Sequence, residues 1–490
     1  MKSNRLVFRR TVNIISAFTA VLPFLIFISL NSFAQSRNAL LDKYIEQYRI
    51  NKSVPSVSAG IIQNDTLIWR KAAGISDIST GKPASENTLY RIASISKMIT
   101  AVAVMQLAEK GKINIDEDAL NYIPYFPRKT FPFSVRQILN HTAGLRSYRP
   151  GEFNSIKHYS NIKEALSIIS GDSLMFEPGT NYLYTTLGYN LLGAVIESVS
   201  GMSYLKYVKE NIFKPAGMDS TFADFENVYS PLRAEGYSRN SSRRITNSPA
   251  VDLSEKLPGG GFISTSGDLL RFAEAILNGT LVSKSTLDSM TVPTILKNGR
   301  IIYYGLGMEL ISDREGKNYF GHFGYGTGFR SLLVINSESH LAAVHLINLN
   351  DRDLAVPALD LAAIASDSIY ISPLKILNEE MLKIILKDGI DSALAFYLRE
   401  KSRQSDDFNF SSKELHYLGY DLIRMKRPRD AVKIFTLYRA EYPANISGTI
   451  GLGDAYNNMG NRKAARKYFN EVLRLAPENS YAVSMLKKLK

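Results

Sequence analysis

The C-terminal quarter of this 490-residue chain repeats with a period of 34 residues. A Leu-Gly pair, an alanine, a phenylalanine and a proline recur at that spacing, at Leu418-Gly419, Ala431, Phe435 and Pro443 and again at Leu452-Gly453, Ala465, Phe469 and Pro477. A repeat of this length is typical of helical hairpins that stack into a superhelix. Because two such units bury little apolar surface alone, we expect them to pack against the rest of the chain.

These recurring positions resemble tetratricopeptide repeats, which would span residues 412–445 and 446–479. Residues 378–401 resemble a degenerate earlier unit, and residues 480–490 would form a capping helix. We therefore predict an all-α tetratricopeptide-like domain over residues 374–490. Two roles for it are open: a rigid appendage, or a groove that binds a protein partner.

The first 34 residues have the pattern of a secretory signal peptide. Four cations, at positions 2, 5, 9 and 10, precede an apolar run from Thr11 to Leu30, and Ser32-Phe33-Ala34 places small residues before a cleavage site. We predict cleavage after Ala34 and a periplasmic or secreted location. The alternative is an uncleaved membrane anchor, because an apolar run of about 20 residues is long enough to span a bilayer.

Composition excludes several kinds of site. Cysteine is absent, which excludes disulfides, thiol nucleophiles and cysteine-ligated metals. The six histidines form no short metal-binding signature, so a metal site would need carboxylates from distant segments. We expect neither a metal nor an organic cofactor. The formal net charge is +13, and residues 375–490 hold 21 Lys and Arg against 14 Asp and Glu. Nucleic acid is not an expected partner for an exported chain. A solvated basic face is the simplest interpretation, and contact with acidic envelope polymers or lipid headgroups is the alternative.

Residues 35–373 mix strands and helices. Residues 56–70 predict a β-hairpin, and strand-like runs return over residues 331–350. Between them, residues 94–110 are apolar nearly all round, which predicts a helix buried in a core. Strands at both ends with helices between them predict an α+β fold, in which distant segments close one antiparallel sheet beside a helical subdomain.

A Ser-x-x-Lys tetrad is the strongest chemical signal in this domain. The tetrad occurs six times, but only Ser94-Ile95-Ser96-Lys97 opens a long buried helix directly after an extended segment. Residues three apart share a helix face, so the lysine amine reaches the serine hydroxyl. Burial lowers the pKa of a lysine, which lets the amine take the serine proton near neutral pH. Two other hydrolase patterns fail, because Gly171-Asp172-Ser173-Leu174 lacks its Asp-x-x-His partner and Gly-x-Ser-x-Gly does not occur.

Six motifs follow one another in a recognisable order: LYRIASISKMITAVAVMQ (89–106), LNHTAGL (139–145), FEPGTNYLYTTLGYNLLG (176–193), IFKPAGMDST (212–221), PGGGFISTSGDLLRF (258–272) and YFGHFGYGTGF (319–329). Together they resemble the serine β-lactamase-related family, which includes class C β-lactamases, low-molecular-mass penicillin-binding proteins, D-aminopeptidases and related esterases. The resemblance covers about residues 45–370. It implies a β-lactamase/transpeptidase-like fold and a serine hydrolase that forms an acyl-enzyme.

The resemblance implies a role for each matching position. Ser94 falls on the family's nucleophile, Lys97 on its paired base and Tyr184 on its catalytic tyrosine. A lysine ammonium beside Tyr184 would ease ionisation of the phenol, which would then carry the serine proton to the leaving group. The family's third motif falls on His322-Phe323-Gly324, so the backbone N–H groups of Ser94 and Tyr325 would form the oxyanion hole.

Two departures from the family pattern affect substrate recognition. Thr186 stands where the family's Tyr-x-Asn motif has asparagine, which removes a two-donor amide. His322 replaces the lysine of the third motif, so a positive charge facing a substrate carboxylate is lost or becomes pH-dependent. We assign Thr186, His322 and Gly324 to substrate binding. The departures disfavour efficient β-lactam hydrolysis and favour the esterase and aminopeptidase branches.

Three functions are consistent with the sequence. The first is an exported serine hydrolase acting through a Ser94 acyl-enzyme on an ester, a D-amino-acid amide or a peptide. The second is a β-lactamase or DD-carboxypeptidase acting on penicillins or peptidoglycan peptides. The third is a catalytically weak scaffold that binds a partner through the helical repeats, which the joint presence of Ser94, Lys97 and Tyr184 disfavours.

Overall fold

The computed structural model describes residues 37–225, 230–240, 242–351, 354, 357–367 and 369–489. The predicted signal peptide lies outside these residues. Among the helices that are described, none combines the length and the apolar character needed to cross a membrane.

The strands, in chain order, are β1 (Ser56–Gln63), β2 (Thr66–Asp77), β3 (Lys82–Pro83), β4 (Tyr90–Arg91), β5 (Phe222–Ala223), β6 (Tyr237–Arg239), β7 (Ile245–Asn247), β8 (Phe262–Ser264), β9 (Thr294–Ile295), β10 (Ile301–Ile302), β11 (Glu309–Ser312), β12 (Asn318–Gly326), β13 (Phe329–Asn336), β14 (Leu341–Ile347) and β15 (Leu349–Asn350). Seven of them form an antiparallel sheet in the order β11-β12-β13-β14-β1-β2-β3. The remaining strands form small two- and three-stranded sheets.

The helices are α1 (37–51), α2 (Ser96–Glu109), α3 (Val135–Leu139), α4 (Ile162–Ala165), α5 (Ser167–Ser170), α6 (Tyr189–Ser200), α7 (Tyr204–Val208), α8 (Lys214–Ala216), α9 (Leu257–Gly260), α10 (Ser266–Leu277), α11 (Lys284–Met290), α12 (Pro357–Asp367), α13 (Leu377–Asp388), α14 (Ile390–Ser402), α15 (Ser412–Arg424), α16 (Pro428–Glu441), α17 (Ser447–Asn458), α18 (Arg462–Leu475) and α19 (Ser480–Lys488). A 3₁₀ turn, Ala93–Ile95, precedes α2.

Strands from the two ends of the domain close the main sheet, as the sequence predicts. β1 and β2 form the expected hairpin, in which Gln63 pairs with Thr66 across Asn64-Asp65. Both turn residues have positive φ, at 49° and 58°, the conformation that a two-residue hairpin turn favours. On its other edge β1 pairs with β14. The predicted α+β fold is therefore confirmed.

Helices cover both faces of this sheet. Successive side chains of β14 point to opposite faces of the sheet. Ala343 and Ile347 lie on one face and pack in a core with residues of α1 and α12. Val344 and Leu346 point the other way, into a larger core that contains α2, α6 and α10. That larger core joins the sheet to the helical subdomain, and the candidate catalytic residues lie where the two meet.

α2 is buried on every side, because each residue from Ser96 to Leu107 is shielded from solvent. Its sequence has no polar face, so only a position between the sheet and the helical subdomain suits it. The prediction that the helix opens at Ser94 is wrong by one short turn. Ser94 lies in the 3₁₀ turn between β4 and α2, and the α-helix proper begins at Ser96.

The C-terminal helices form three hairpins and one final helix. The pairs α15/α16 and α17/α18 correspond to the two predicted repeats, α13/α14 is the earlier unit, and α19 follows as the predicted cap. The repeated glycines have a packing reason. A Cβ at Gly419 would lie 2.4 Å from the ring of Phe435, and one at Gly453 would lie 2.7 Å from the ring of Phe469.

A buried cluster of charges joins the repeats to the sheet domain. Glu379, in the first turn of α13, contacts Arg243 at 2.7 Å and Arg239 at 3.2 Å. Both arginines also contact Asp351, which follows β15. The repeats thus dock on the larger domain, as expected for units too few to stand alone.

Candidate active site

Ser94 is held at the base of a cleft by a strained turn. The preceding residue, Ala93, has φ of +46°, a conformation that costs a residue with a Cβ about 1–3 kcal/mol. Two contacts hold the turn: Ser96 Oγ donates to Ala93 O at 2.6 Å, and Ser331 Oγ donates to Ile92 O at 2.9 Å. Contacts with α2 and β13 thus hold the strained turn in place. The turn presents the Ser94 hydroxyl to the cleft.

Lys97 lies directly below this hydroxyl and is fully buried. Its Nζ is 3.1 Å from Ser94 Oγ, 3.0 Å from Thr186 Oγ1 and 2.7 Å from Gly259 O, three neutral partners. Burial holds the pKa of Lys97 well below its usual range, and Lys256 lowers it further, whereas Glu309 opposes the shift. A neutral amine in this position has a lone pair available for the serine proton.

Tyr184 lies beside the same pair. The Lys97 Nζ atom is 4.7 Å from the centre of the Tyr184 ring, and Ser94 is close enough to affect the pKa of the phenol. The expectation that Tyr184 ionises easily is wrong. Burial raises the pKa of Tyr184 well above its usual range, and the interaction with Ser94 offsets this only in part. Since burial also lowers the pKa of Lys97, the lysine amine is the better proton acceptor of the two.

Thr186 takes the place expected from the Tyr-x-Asn position. Its hydroxyl accepts a hydrogen bond from Lys97, and it also lines the cleft. The glycine-rich segment at α9 packs closely against it, because a Cβ at Gly259 would lie 2.6 Å from Thr186 O. This close approach brings the carbonyl of Gly259 within reach of Lys97.

Strand β12 passes along the other side of Ser94. Gly324 is pressed against the turn, so that a Cβ there would lie 2.4 Å from Ile92 O and 1.9 Å from Ser331 Oγ. Gly324 therefore sets how near the strand lies to the nucleophile and is not among the residues that line the cleft. Tyr325 does line it, with its side chain half exposed, next to Ser94.

His322 does not meet the expectation of a titrating cation that faces the substrate. Its side chain is buried, and Nε2 lies 3.0 Å from the hydroxyl of Tyr304. Nδ1 contacts Phe323 O at 2.6 Å and Glu309 Oε1 at 3.1 Å. Burial lowers the pKa of His322 to about 3, so the ring is neutral near neutral pH.

A shell of residues lies beneath the catalytic group, and sequence reasoning missed two of its members, Tyr304 and Glu309. Tyr304 and His141 pack on Tyr184, with ring centres 6.3 and 4.3 Å away. Glu309 lies next to this shell, and burial raises the pKa of its carboxyl to about 7. Tyr304 and Glu309 belong to no quoted motif, so only the tertiary structure reveals them.

The cleft above Ser94 is narrow and partly open to solvent. The sequence predicted no role in the site for four residues that line the cleft: the aromatic residues Tyr148 and Phe153, and the cations Arg91 and Lys256. The two aromatic rings meet edge to face at 5.4 Å. A cleft with aromatic walls and a few polar groups suits a small organic acyl group.

Comparison with known proteins agrees with this geometry. Residues 41–366 match the family model described as Beta-lactamase, and residues 450–479 match that of the tetratricopeptide repeat. "Serine beta-lactamase-like protein LACTB, mitochondrial" of Homo sapiens is 28% identical over 346 residues, 55% of this chain and 63% of that protein. "Penicillin-binding protein 4*" of Bacillus subtilis (strain 168) is 29% identical over 322 residues, 62% of this chain and 69% of that protein.

A similar solved structure is a D-stereospecific amidohydrolase from Streptomyces sp., with a TM-score of 0.55 at 25% identity over 64% of this chain and 94% of that chain. The chain spans less than two thirds of the length of the human relative, at 63%. The beta-lactamase model, however, matches well over half of the chain. The chain therefore belongs to the beta-lactamase family of serine hydrolases and carries a C-terminal tetratricopeptide repeat.

Proposed function

We propose that the chain is an exported serine hydrolase in which Ser94 is acylated by an ester, a D-amino-acid amide or a peptide. The observation that supports this most is the 3.1 Å contact between Ser94 Oγ and the buried amine of Lys97. Because burial holds the pKa of Lys97 well below its usual range, the amine accepts a proton near neutral pH. The predicted signal peptide supports export.

In the acylation step, the hydroxyl proton of Ser94 passes to Lys97 Nζ as Oγ bonds to the carbonyl carbon. The carbonyl oxygen becomes an oxyanion, which we assign to the backbone N–H groups of Ser94 and Tyr325. The bond to the leaving alcohol or amine then breaks, and that group takes the proton from Lys97 through the hydroxyl of Tyr184. Water repeats the sequence on the acyl-enzyme and releases the acid.

The neutral, buried state of His322 favours these substrates over penicillins. A lysine in the third motif would offer a charge to a substrate carboxylate, and His322 offers none at neutral pH. The similar Streptomyces structure is described as a D-stereospecific amidohydrolase, which is why D-amino-acid amides enter the first set of candidates. Acylation by penicillins is the second candidate, on the similarity to a penicillin-binding protein.

A scaffold function through the repeats has one observation in its favour. Tyr420 and Tyr481 both donate hydrogen bonds to Asp454 at 2.7 Å, which ties α15, α17 and α19 together. Helices that are fixed relative to one another present a rigid surface, and such a surface suits the binding of a protein partner. The scaffold proposal predicts a partner whose binding is unaffected by Ser94→Ala.

The test is hydrolysis of 4-nitrophenyl butyrate by the mature chain, compared with its Ser94→Ala variant. The matched control is Ser203→Ala, because Ser203 starts another Ser-x-x-Lys tetrad but caps the short helix α7 and does not line the cleft. We expect turnover in the parent and the control, and none above buffer in Ser94→Ala. Equal rates in all three proteins would show that Ser94 is not the nucleophile.

A further inference from the structure

The walls of the cleft above Ser94 carry two positive charges and no negative one. Among the described residues that line it, Arg91 and Lys256 are cations, and none is a carboxylate. The other polar side chains of the lining are hydroxyls, such as Thr186 and Thr327. Because the low dielectric of a cleft strengthens charge interactions, this imbalance favours an anionic ligand.

Lys256 is held in place from several sides. Only 5% of its surface is exposed, and its Nζ donates to Phe153 O at 2.5 Å. The rings of Tyr148 and Phe153 lie 5.0 and 4.8 Å from Nζ, within the range of cation–π attraction. A cation fixed in this way loses little further entropy when it binds a ligand.

The counter-ion of Lys256 does not line the cleft. Glu255 Oε1 lies 3.0 Å from Nζ, and Glu255 is not among the described residues of the lining, so no carboxylate of that lining faces a ligand there. Burial lowers the pKa of Lys256, Glu255 opposes this shift, and the charge of Arg91, in the same cleft wall, lowers the pKa further, as expected for two cations that repel each other. An anion that binds between them would relieve that repulsion.

Arg91 has a shared counter-ion. Asp224 contacts Arg91 Nε at 2.6 Å and Arg233 Nη1 at 2.7 Å, so that two guanidinium groups face one carboxylate. Arg91 also donates from Nη1 to Thr327 O at 3.2 Å. Arg91 therefore shares Asp224 with Arg233, on which Glu235 also acts.

We propose that Lys256, assisted by Arg91, forms a recognition subsite for a carboxylate of the substrate, so that the preferred substrates are acyl compounds that carry an acidic group. This inference rests on the proposed function and names its substrate class. The subsite is separate from the third motif, where His322 is buried and neutral. It lies instead on the segment that leads into α9, which also supplies the Gly259 carbonyl to Lys97.

The test compares two 4-nitrophenyl esters of the same diacid, 4-nitrophenyl hydrogen adipate and 4-nitrophenyl methyl adipate. The far carboxyl group is free in the first and methylated in the second. The rate of hydrolysis in buffer is subtracted from each. We expect the parent to show a kcat/KM about tenfold or more higher for the acid, the usual size of a hydrogen bond to a charged group. In Lys256→Met the ratio of the two kcat/KM values falls towards one, and in Lys256→Arg the preference for the acid is kept. The control Lys284→Met alters an exposed lysine paired with Asp288 and keeps the parent ratio.

Two further measurements keep the outcome decisive. If Lys256→Met leaves Glu255 buried without a partner and unfolds, the double variant Glu255→Gln/Lys256→Met removes both charges and serves instead. Binding of the two adipates to the Ser94→Ala variant, measured by calorimetry, reports the subsite without turnover. Tighter binding of the acid there, with no hydrolysis by the parent, would support the subsite and count against the proposed hydrolase. Equal affinity for both esters, or an acid preference that survives Lys256→Met, would overturn the subsite.

Discussion

Asp351, just after β15, and Glu379, in the first helix of the repeats, contact the same atom, Nη2 of Arg243, at 2.8 and 2.7 Å. Arg239 contacts the same two carboxylates. Two cations therefore neutralise two carboxylates inside the junction of the domains. Removing any one of them leaves a buried charge without its partner, which is more costly than losing a surface ion pair.

Glu379→Ala is therefore expected to destabilise the junction by about 3 kcal/mol, measured as the free energy of unfolding in urea. We also expect faster proteolysis of the segment between α12 and α13. The control is Glu380→Ala, the next residue, which pairs with Lys383 at the surface and should change stability by less than about 0.5 kcal/mol. Equal stability of the two variants would mean that the buried cluster does not hold the domains together.

Glu309→Gln should extend activity to lower pH. The neutral amine of Lys97 is the active form, so kcat/KM falls as the pH drops through the pKa of that lysine. The carboxylate form of Glu309, which prevails above its pKa of about 7, raises the pKa of Lys97. Glutamine removes this effect, so the part of the acidic limb that lies above about pH 7 moves to lower pH. The measurement is kcat/KM for 4-nitrophenyl butyrate as a function of pH. A limb that moves upward or stays in place would contradict this coupling.

His322 should make the protein less stable in acid. Its pKa is about 3 in the folded state, against 6.5 for an unperturbed histidine. Between these values the unfolded chain binds a proton that the folded chain does not, so stability is lost as the pH falls from 6.5 towards 3. His322→Gln should flatten the pH dependence of the unfolding free energy by about one proton, or ~1.4 kcal/mol per pH unit.

The control for His322 is His340→Asn, at an exposed histidine. In that variant, the unfolding free energy should depend on pH with the same slope as in the parent. A slope in His322→Gln that equals the parent slope would show that folding does not change the proton binding of His322.

Gly324→Ala should damage the site through the backbone. The new methyl group would meet Ile92 O and Ser331 Oγ, so β12 must move away from the turn that holds Ser94. We expect a loss of about 1–3 kcal/mol in stability and a clear fall in kcat/KM for 4-nitrophenyl butyrate. Gly171→Ala is the control, because its Cβ would have no neighbour within 4 Å and its φ of −81° suits alanine. Identical behaviour of both variants would mean that close packing of β12 is not required.

Features that depend on residues close in the chain could be predicted from the sequence. The 34-residue period identifies the helical repeats, because each hairpin is built from its own Leu-Gly, Ala and Phe positions. The Asn64-Asp65 turn follows from two residues that tolerate positive φ. The contact of Ser94 with Lys97 also follows from spacing, since residues three apart meet on one helical face even when the first lies in a 3₁₀ turn.

The protonation states of the site were decided by tertiary structure alone. Lys97 is held by Thr186 and Gly259, which are 89 and 162 residues away, and by burial that no local pattern encodes. The same holds for His322, which looked like a pH-dependent cation in the sequence and is neutral because burial removes its hydration. The two cations of the cleft, Arg91 and Lys256, come from distant segments, so their common wall exists only in the folded chain. Sequence spacing thus determines which groups meet within an element, whereas burial by distant segments determines their charge.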